Sequence, residues 1–559
     1  MEKNDKTPDR AEPGQDVTRR EFVKTGALAT AGIVTGAPAF LRGQNLNNKM
    51  NIAFIAAGGR ASASMNELTV RPGGGGRGAA PAAPAGRGFG GRGRGAAAAA
   101  EAAAHPDENV TVICDVNENA LDNAGQRFPQ AKKYTDYRKV FESPNDFDAV
   151  VVATPEHHHV FATYLALTMG KHVYCEKPLT YNIWEARLIR ETAAKFPNLS
   201  TQMGNQGHAS TARRTIREIL QTGVIGPVHE VHVWADRAWG LQWESSADRF
   251  DRPHGWYIAP GSKPGSRGVQ IVDRFKETMP IPPKEVHNGP HTQELFDLWI
   301  GPAPVRPYHA TYFPGPRWYR WWDVANGTMS DLGSHDNDAP YTVLDIWREI
   351  GGRRVLAPTT IESISNNLGP AHRELAPATL RATYEYPAVG NQPALKLVWH
   401  QGESKPTQWT EAMGGRSCLF IGEKGMLTGN GQLLPLSGGG RGGGGGRGGR
   451  GAGAAAQTPA PAGPFADFQT PPETIPRSPG HWVEWVQYAK GETKTPPGSN
   501  FQYSGWTTEA NHLGNVAYRT GKKIEWDYVN LRATNAPEAA PFIKRPEYRK
   551  GWTGILPGA

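Results

Sequence analysis

The chain has little cysteine, no long apolar run, and no acid in its most basic stretches. Cys114, Cys175 and Cys418 are the only thiols in 559 residues. An odd count with no paired spacing indicates neither a disulfide framework nor a Cys-x-x-Cys metal site. Cys114 and Cys175 lie in or beside apolar runs, where a thiol serves as a small buried hydrophobe. Nowhere does the chain sustain the ~20 apolar residues of a membrane-spanning helix, so no span is expected in the mature protein. The formal net charge is +8, but seven arginines sit in two acid-free, glycine-rich stretches: Arg77, Arg87, Arg92 and Arg94, then Arg441, Arg447 and Arg450. The rest of the chain is close to neutral, which argues against a nucleic-acid-binding face on the folded domains.

What is present suggests two domains with appendages. Residues 1–42 read as an export signal: Arg19 and Arg20 precede Phe22, a mildly apolar stretch from Gly26 to Phe40 follows, and Ala37-Pro38-Ala39 offers a cleavage site. That order resembles a twin-arginine signal, so the translocon is an expected partner and the periplasm or exterior the expected location. Residues 50–206 alternate strand-like and helix-like segments, as a doubly wound Rossmann domain does. The sequence predicts a first helix over Ser62–Val70, a later one over Val160–Met169, and an unbroken β-branched strand at Ala149–Ala153, the kind buried on both faces of a parallel sheet. Residues 72–104 are mostly Gly, Ala, Pro and Arg and read as an insertion that cannot bury enough apolar surface to order itself. Residues 207–535 change period. Val228–Trp234, Ala382–Tyr386 and Leu395–Trp399 alternate as half-exposed strands do, predicting an α/β substrate domain on an open, mostly antiparallel sheet. A second low-complexity insertion occupies 437–463, and 536–559 form a C-terminal tail.

The strand Asn51–Ile55 runs into a turn whose dinucleotide-fingerprint positions read Ala56, Gly58 and Ala61. Glycines there permit a tight turn, close backbone approach to a pyrophosphate, and helix-on-strand packing; only the middle one survives. Asp115, closing the second strand, can accept both ribose hydroxyls and would repel a 2′-phosphate, which favours NAD over NADP; Arg60 could soften that preference. The next-but-one strand ends in Thr154-Pro155-Glu156-His157-His158-His159. Adjacent side chains diverge on any regular backbone, so a polar loop lining the cofactor crevice is expected there and no metal. Cys175-Glu176-Lys177-Pro178 ends another apolar strand and places a lysine where a parallel sheet presents it to a cofactor. Asp331 and His335 are four apart, so a helix turns both to one crevice. Trp318-Tyr319-Arg320-Trp321-Trp322, with Trp239, Trp243 and Trp256, supplies aromatic planes suited to a sugar ring.

Together these features resemble the Gfo/Idh/MocA oxidoreductases: the turn at 51–61, Thr-Pro-x-His-x-His at 154–159, Gly170–Leu179 with its Glu-Lys-Pro, Asp331–His335, and the closing helix around Thr508–Gly521. The resemblance covers nearly the whole exported chain apart from the insertions. It implies a catalytic set of Lys177, Asp331 and His335, with His335 taking a hydroxyl proton and Asp331 orienting it or binding a second hydroxyl. It further implies cofactor contacts from Ala56, Gly58, Gly59, Arg60, Ala61, Asp115, Thr154, Pro155, His159, Glu176, Lys177 and Asn205. The expected activity is NAD(P)-dependent hydride transfer to or from a hydroxyl-bearing carbon of a small sugar or polyol, by a chain that could form a homo-oligomer. Two other functions stay open: a glycosidase that uses NAD in transient oxidation and elimination, and a non-catalytic sugar-binding protein on a retained fold.

Overall fold

In the computed structural model, six strands pair entirely in parallel in the order β3-β2-β1-β4-β5-β6. They are β1 (Asn51–Ile55), β2 (Asn109–Cys114), β3 (Lys132–Tyr134), β4 (Ala149–Val152), β5 (His172–Cys175) and β6 (Thr201–Met203). The structure describes residues 48–69, 106–236, 256–258, 269–271, 293–306, 313, 318–365, 376–377, 379–402, 404–436 and 463–558. Residues 1–42 and 72–104, most of 437–463, and the tryptophans at 239 and 243 therefore lie outside the described residues, except at the insertion's last position.

Strand alternation explains why β4 is apolar throughout. Val150 and Val152 join one buried cluster with Ala53, Ile55, Val173 and Cys175, while Val151 joins a second with Ile52, Phe54 and Tyr174. The central strands β1, β4 and β5 thus bury both faces, while the edge strand β3 is mostly exposed, and helices cover both sides of the sheet. Strand order reverses between β1 and β4, which opens a crevice at their carboxyl ends. Two helices begin earlier than the sequence suggested. One spans Gly59–Leu68, and another spans Glu156–Thr168, so the three histidines fall in a helical first turn and not in a loop.

The second sheet has nine strands in the order β17-β16-β15-β7-β14-β13-β12-β18-β19. These are β7 (Val228–Ala235), β12 (Thr360–Ile364), β13 (Leu380–Tyr386), β14 (Leu395–Gln401), β15 (Arg416–Gly422), β16 (Met426–Thr428), β17 (Leu433–Leu434), β18 (Ile524–Asp527) and β19 (Arg532–Ala533). β7 and β14 run parallel, and the remaining described pairs are antiparallel. Two small antiparallel ribbons, β8 (Trp256–Ile258) with β9 (Val269–Ile271) and β10 (Arg348–Ile350) with β11 (Arg353–Val355), stand apart from it.

One sheet face, with Val231, Val233, Leu397, Trp399 and Phe420, packs with Trp506, Ala510, Leu513 and Ala517 of the helix Phe501–Thr520. Asn500 caps that helix by accepting from the amides of Gln502 and Tyr503, and Gly521 ends it at a φ of +70° that suits glycine. Sequence order assigns residues after 207 to the second domain and tail, but parts of both return to the first. Trp485, Val486 and Ala489 pack with Ile52 and Phe54, while Tyr548, Trp552 and Leu556 pack with Phe161. No helix of the described residues is long and apolar enough to cross a membrane.

Candidate active site

The first turn keeps the work of the fingerprint with different residues. Ala56 takes a φ of +95°, the conformation a glycine would adopt without strain. At Gly58, which precedes the helix Gly59–Leu68, an added Cβ would come within 3.2 Å of the Ala120 Cβ, a tight contact that favours glycine. Gly59 follows at φ +51°. Ala61 is wholly buried and packs the helix onto the sheet with Ile52. Asp115 ties this turn to the end of β2. Its Oδ2 accepts from the amides of Ala57 at 2.8 Å and Gly58 at 3.3 Å, and its Oδ1 from Asn117 at 2.8 Å. Burial raises the Asp115 pKa, and these three donors oppose the rise.

Arg60 reaches across the crevice to the loop after β5. Its Nη2 lies 3.1 Å and its Nε 3.3 Å from Glu176 Oε1, and the Glu176 charge, against the effect of burial, raises the arginine's pKa. This engagement uses the Nε and Nη2 of Arg60 for Glu176, with 42% of the side chain still exposed. Gln206 Nε2 approaches the same carboxylate at 3.5 Å and donates to the Tyr174 hydroxyl at 2.8 Å. Gly204 makes room for Glu176, since a Cβ there would stand 2.6 Å from Oε2.

Lys177 follows Glu176 and precedes a cis proline, Pro178. Its ammonium is hydrogen-bonded to Asp331 Oδ1, with 8% and 7% of the two side chains exposed. Asp331 rides on a π-helical turn, Met329–Gly333, that continues into a helical segment carrying His335; such turns often mark functional sites. Gly333 lets that turn meet the closing helix, because a Cβ there would lie 2.5 Å from Asn511 Oδ1. Burial, with Lys177 and Arg416 adding to it, pushes the His335 pKa well below its usual value, against the pull of Asp331. The imidazole is therefore neutral near pH 7, as a proton acceptor must be. The Tyr319 ring lies 5.8 Å from Lys177 Nζ and stacks on Trp318 at 3.8 Å. Arg320, Trp321 and Trp322 are buried, which leaves Trp318 and Tyr319 as the half-exposed members of the aromatic cluster. Trp256 lies in β8, with its side chain outside the description.

Several residues the sequence did not single out hold this arrangement. Arg416 of β15 grips Asp336 with its Nε and Nη2 at 2.7–2.9 Å. Asp338 is wholly enclosed and accepts from Arg213, from Asn205 Nδ2 and His208 Nδ1 at 3.0 Å each, and from the Tyr503 hydroxyl at 2.7 Å. Arg213 also donates to the His335 carbonyl at 2.6 Å. Asn205, expected at the cofactor, thus sits in a buried network beneath the segment that carries Asp331 and His335. The acids Asp336 and Asp338 directly follow the Asp-x-x-x-His motif, which together with Asn205 was the sequence signal near this network.

The histidine run does not line the crevice as expected. His157 and His158 both bond the Trp299 carbonyl, at 2.9 and 2.8 Å. His159 stands between the carbonyls of Thr154 at 2.8 Å and Pro178 at 2.7 Å, and its neutral ring donates to one of them, joining the loops after β4 and β5. Pro155 stands just ahead of this helix. In the first turn of this buried helix the rings find mostly backbone carbonyls, with the Tyr137 hydroxyl 3.2 Å from His158 Nδ1. Among the described residues no group of three or more His, Cys, Asp or Glu side chains could hold a metal ion.

Residues 86–202 match the GFO_IDH_MocA model, described as an oxidoreductase family with an NAD-binding Rossmann fold. The chain is 40% identical over 99 residues to a D-xylose 1-dehydrogenase (NADP(+)) of Hypocrea jecorina, covering 18% of this chain and 25% of that protein. It is 30% identical over 122 residues to a myo-inositol 2-dehydrogenase of Thermotoga maritima, covering 22% and 36%. It is 29% identical over 117 residues to a levoglucosan dehydrogenase of Pseudarthrobacter phenanthrenivorans, covering 21% and 30%. The matches therefore span about a quarter to just over a third of these relatives. Among solved structures, the WlbA dehydrogenase of Bordetella pertussis, in complex with NADH and UDP-GlcNAcA, overlays 86% of this chain and 99% of its own, with 13% identity and a TM-score of 0.47. Over residues 86–202 this chain matches the Gfo/Idh/MocA oxidoreductase family.

Proposed function

We propose that this protein is an exported NAD(P)-dependent oxidoreductase that moves a hydride between nicotinamide and a hydroxyl-bearing carbon of a small sugar or polyol. The observation that carries the reading is the meeting of Lys177, Asp331 and a neutral His335 beside the carboxyl end of β5. The residues fit a dinucleotide. A glycine stands where backbone must approach closely, the helix Gly59–Leu68 has no acid in its first turn to repel a pyrophosphate, and Asp115 lies at the turn. When bound, the nicotinamide supplies the hydride acceptor or donor. Lys177 donates to the reacting oxygen and, held by Asp331, stabilises negative charge developing there. His335 accepts the hydroxyl proton. Trp318 and Tyr319 offer a stacked face beside Lys177 for the C–H side of a ring. That the relatives named above are xylose, inositol and levoglucosan dehydrogenases supports this substrate class. Asp115 favours NAD, with NADP the second candidate.

The test is to supply NAD and a panel of aldoses, inositols and anhydrosugars and to follow NADH. Accumulation with one of them, at equal molar yield of ketone or lactone, is the expected result. An aryl glycoside cleaved without net NADH, with solvent deuterium entering beside the oxidised carbon, would favour the eliminating glycosidase. Sugar binding with no turnover of any kind would favour the non-catalytic reading. For export, replacing Arg19 and Arg20 together by lysine should leave precursor in the cytoplasm. An undiminished periplasmic yield would remove the signal.

A further inference from the structure

We propose that Glu156 is a positioning residue of this site: as an un-ionised carboxylic acid it bonds Ser330 and so holds the π-helical turn that presents Asp331 to Lys177. The kinetic part of this inference rests on the reading above, but the protonation state does not. Glu156 is 0% exposed and opens the helix Glu156–Thr168. Its Oε1 lies 2.7 Å from Ser330 Oγ and its Oε2 3.0 Å from Asn326 Nδ2. Asn326 also donates to the Tyr181 carbonyl at 2.7 Å. Ser330 precedes Asp331 directly, and its own carbonyl accepts from the Ser334 hydroxyl at 2.7 Å.

The proton count favours the un-ionised acid. The Ser330 hydroxyl has one hydrogen and two acceptors within reach, Glu156 Oε1 and the Gly327 carbonyl at 3.1 Å. Were Glu156 ionised, that hydrogen could serve only one of them. With a proton on Oε1, the carboxyl donates to Ser330, Ser330 donates to Gly327, and Asn326 donates to Oε2, so every contact is satisfied. The charged groups acting on Glu156 are Lys177, from the loop after β5, and Asp331, from the π-helical turn. On its own helix His157 and His159 bond carbonyls, and from the closing helix His512 Nε2 reaches the Thr180 carbonyl at 2.9 Å. A second anion here would compete with Asp331 for Lys177, and an uncompensated buried charge is costly. Burial lifts the Glu156 pKa to about 8, against Ser330, Asn326 and Lys177. Its ionisation above that pH therefore sets an alkaline limit on the site.

The full-length protein should show, in infrared difference spectra of wild type against Glu156→Gln at neutral pH, the carbonyl stretch of an un-ionised carboxylic acid that disappears as pH is raised. Ser330→Ala, which removes the acceptor of the carboxyl proton, should move that band to higher frequency and serves if the glutamine variant does not fold. Carboxylate bands alone at neutral pH, or a band unmoved by Ser330→Ala, overturn the proposal. On a sugar that reduces NAD, Glu156→Ala should lower kcat about tenfold with KM little changed. Glu156→Gln, the isostere of the neutral acid, should recover most of that loss and lack the wild-type alkaline limb. A glutamine variant as slow as alanine, or one that keeps the limb, also overturns it. Failure of every sugar to reduce NAD would sink the proposed activity and leave the infrared result standing on its own.

Discussion

Two aspartates seven residues apart, Asp331 and Asp338, are both buried and both face a cation, yet their surroundings differ in kind. Asp338 accepts from Arg213, His208, Asn205 and Tyr503 in a closed interior network. Although burial pulls the other way, Arg213 and His208 hold its carboxyl well below the usual range. Asp331 instead meets Lys177 at the crevice, beside a neutral imidazole and a half-exposed aromatic pair. A guanidinium suits the first role, because its fixed fork of donors satisfies a carboxylate while a second donor reaches the His335 carbonyl. A compact ammonium suits the second, because its three donors can turn from Asp331 to a reacting oxygen. These surroundings suit a stabilising role for Asp338 and, in the proposed function, a chemical one for Asp331.

The largest expected effect falls on the chemical side. Lys177→Ala and His335→Ala should each lower turnover by about 10²–10⁴, the reach of one general acid or base, while NAD still binds. Stopped turnover with intact NAD binding by calorimetry is the result that fits. Full activity of Lys177→Ala on a verified substrate would erase the contrast.

The structural side predicts a thermodynamic loss. Asp338→Ala leaves Arg213 buried without its partner and should cost about 3–5 kcal/mol in denaturant unfolding. A variant that keeps its stability but loses turnover would reassign Asp338 to the chemistry. Acid sharpens the same point. A carboxyl whose folded pKa is depressed contributes stability above its unfolded value, near ~4, and loses it as pH falls towards the folded value. The stability gap between wild type and Asp338→Ala should therefore be full and constant above the unfolded value and shrink as pH falls below about 4.

The smallest effect lies at the turn. Ala56→Gly would relieve the φ of +95° and raise stability by about 1 kcal/mol, less glycine's own entropic cost. An unfolding midpoint that drops would mean alanine is not strained there.

Much of this was legible along the chain. The β-branched run at 149–152 announced a strand buried on both faces, because only a two-sided apolar environment tolerates it, and the period-two segments at 228–234 and 395–399 announced the second sheet. Lys177, Asp331 and His335 stood out as residue types in motifs, and the fold brings Lys177 to Asp331 across 154 positions, with His335 near enough to feel both charges. The histidine run was misplaced because helix starts are set by capping and burial that a triplet of polar letters does not reveal.

What the sequence by itself determined is the alternation that builds a parallel sheet, the turn that precedes its first helix, and the identity of the groups with useful chemistry. Those follow from local periodicity and residue type. Only the tertiary structure decided that Arg60 reaches Glu176, that Asp331 pairs with Lys177 while Asp338 pairs with Arg213, and that Glu156 lies buried against Ser330. Hydrogen-bond partners and burial are properties of three-dimensional neighbours, and in a crevice between two sheets those neighbours come from segments far apart in the chain.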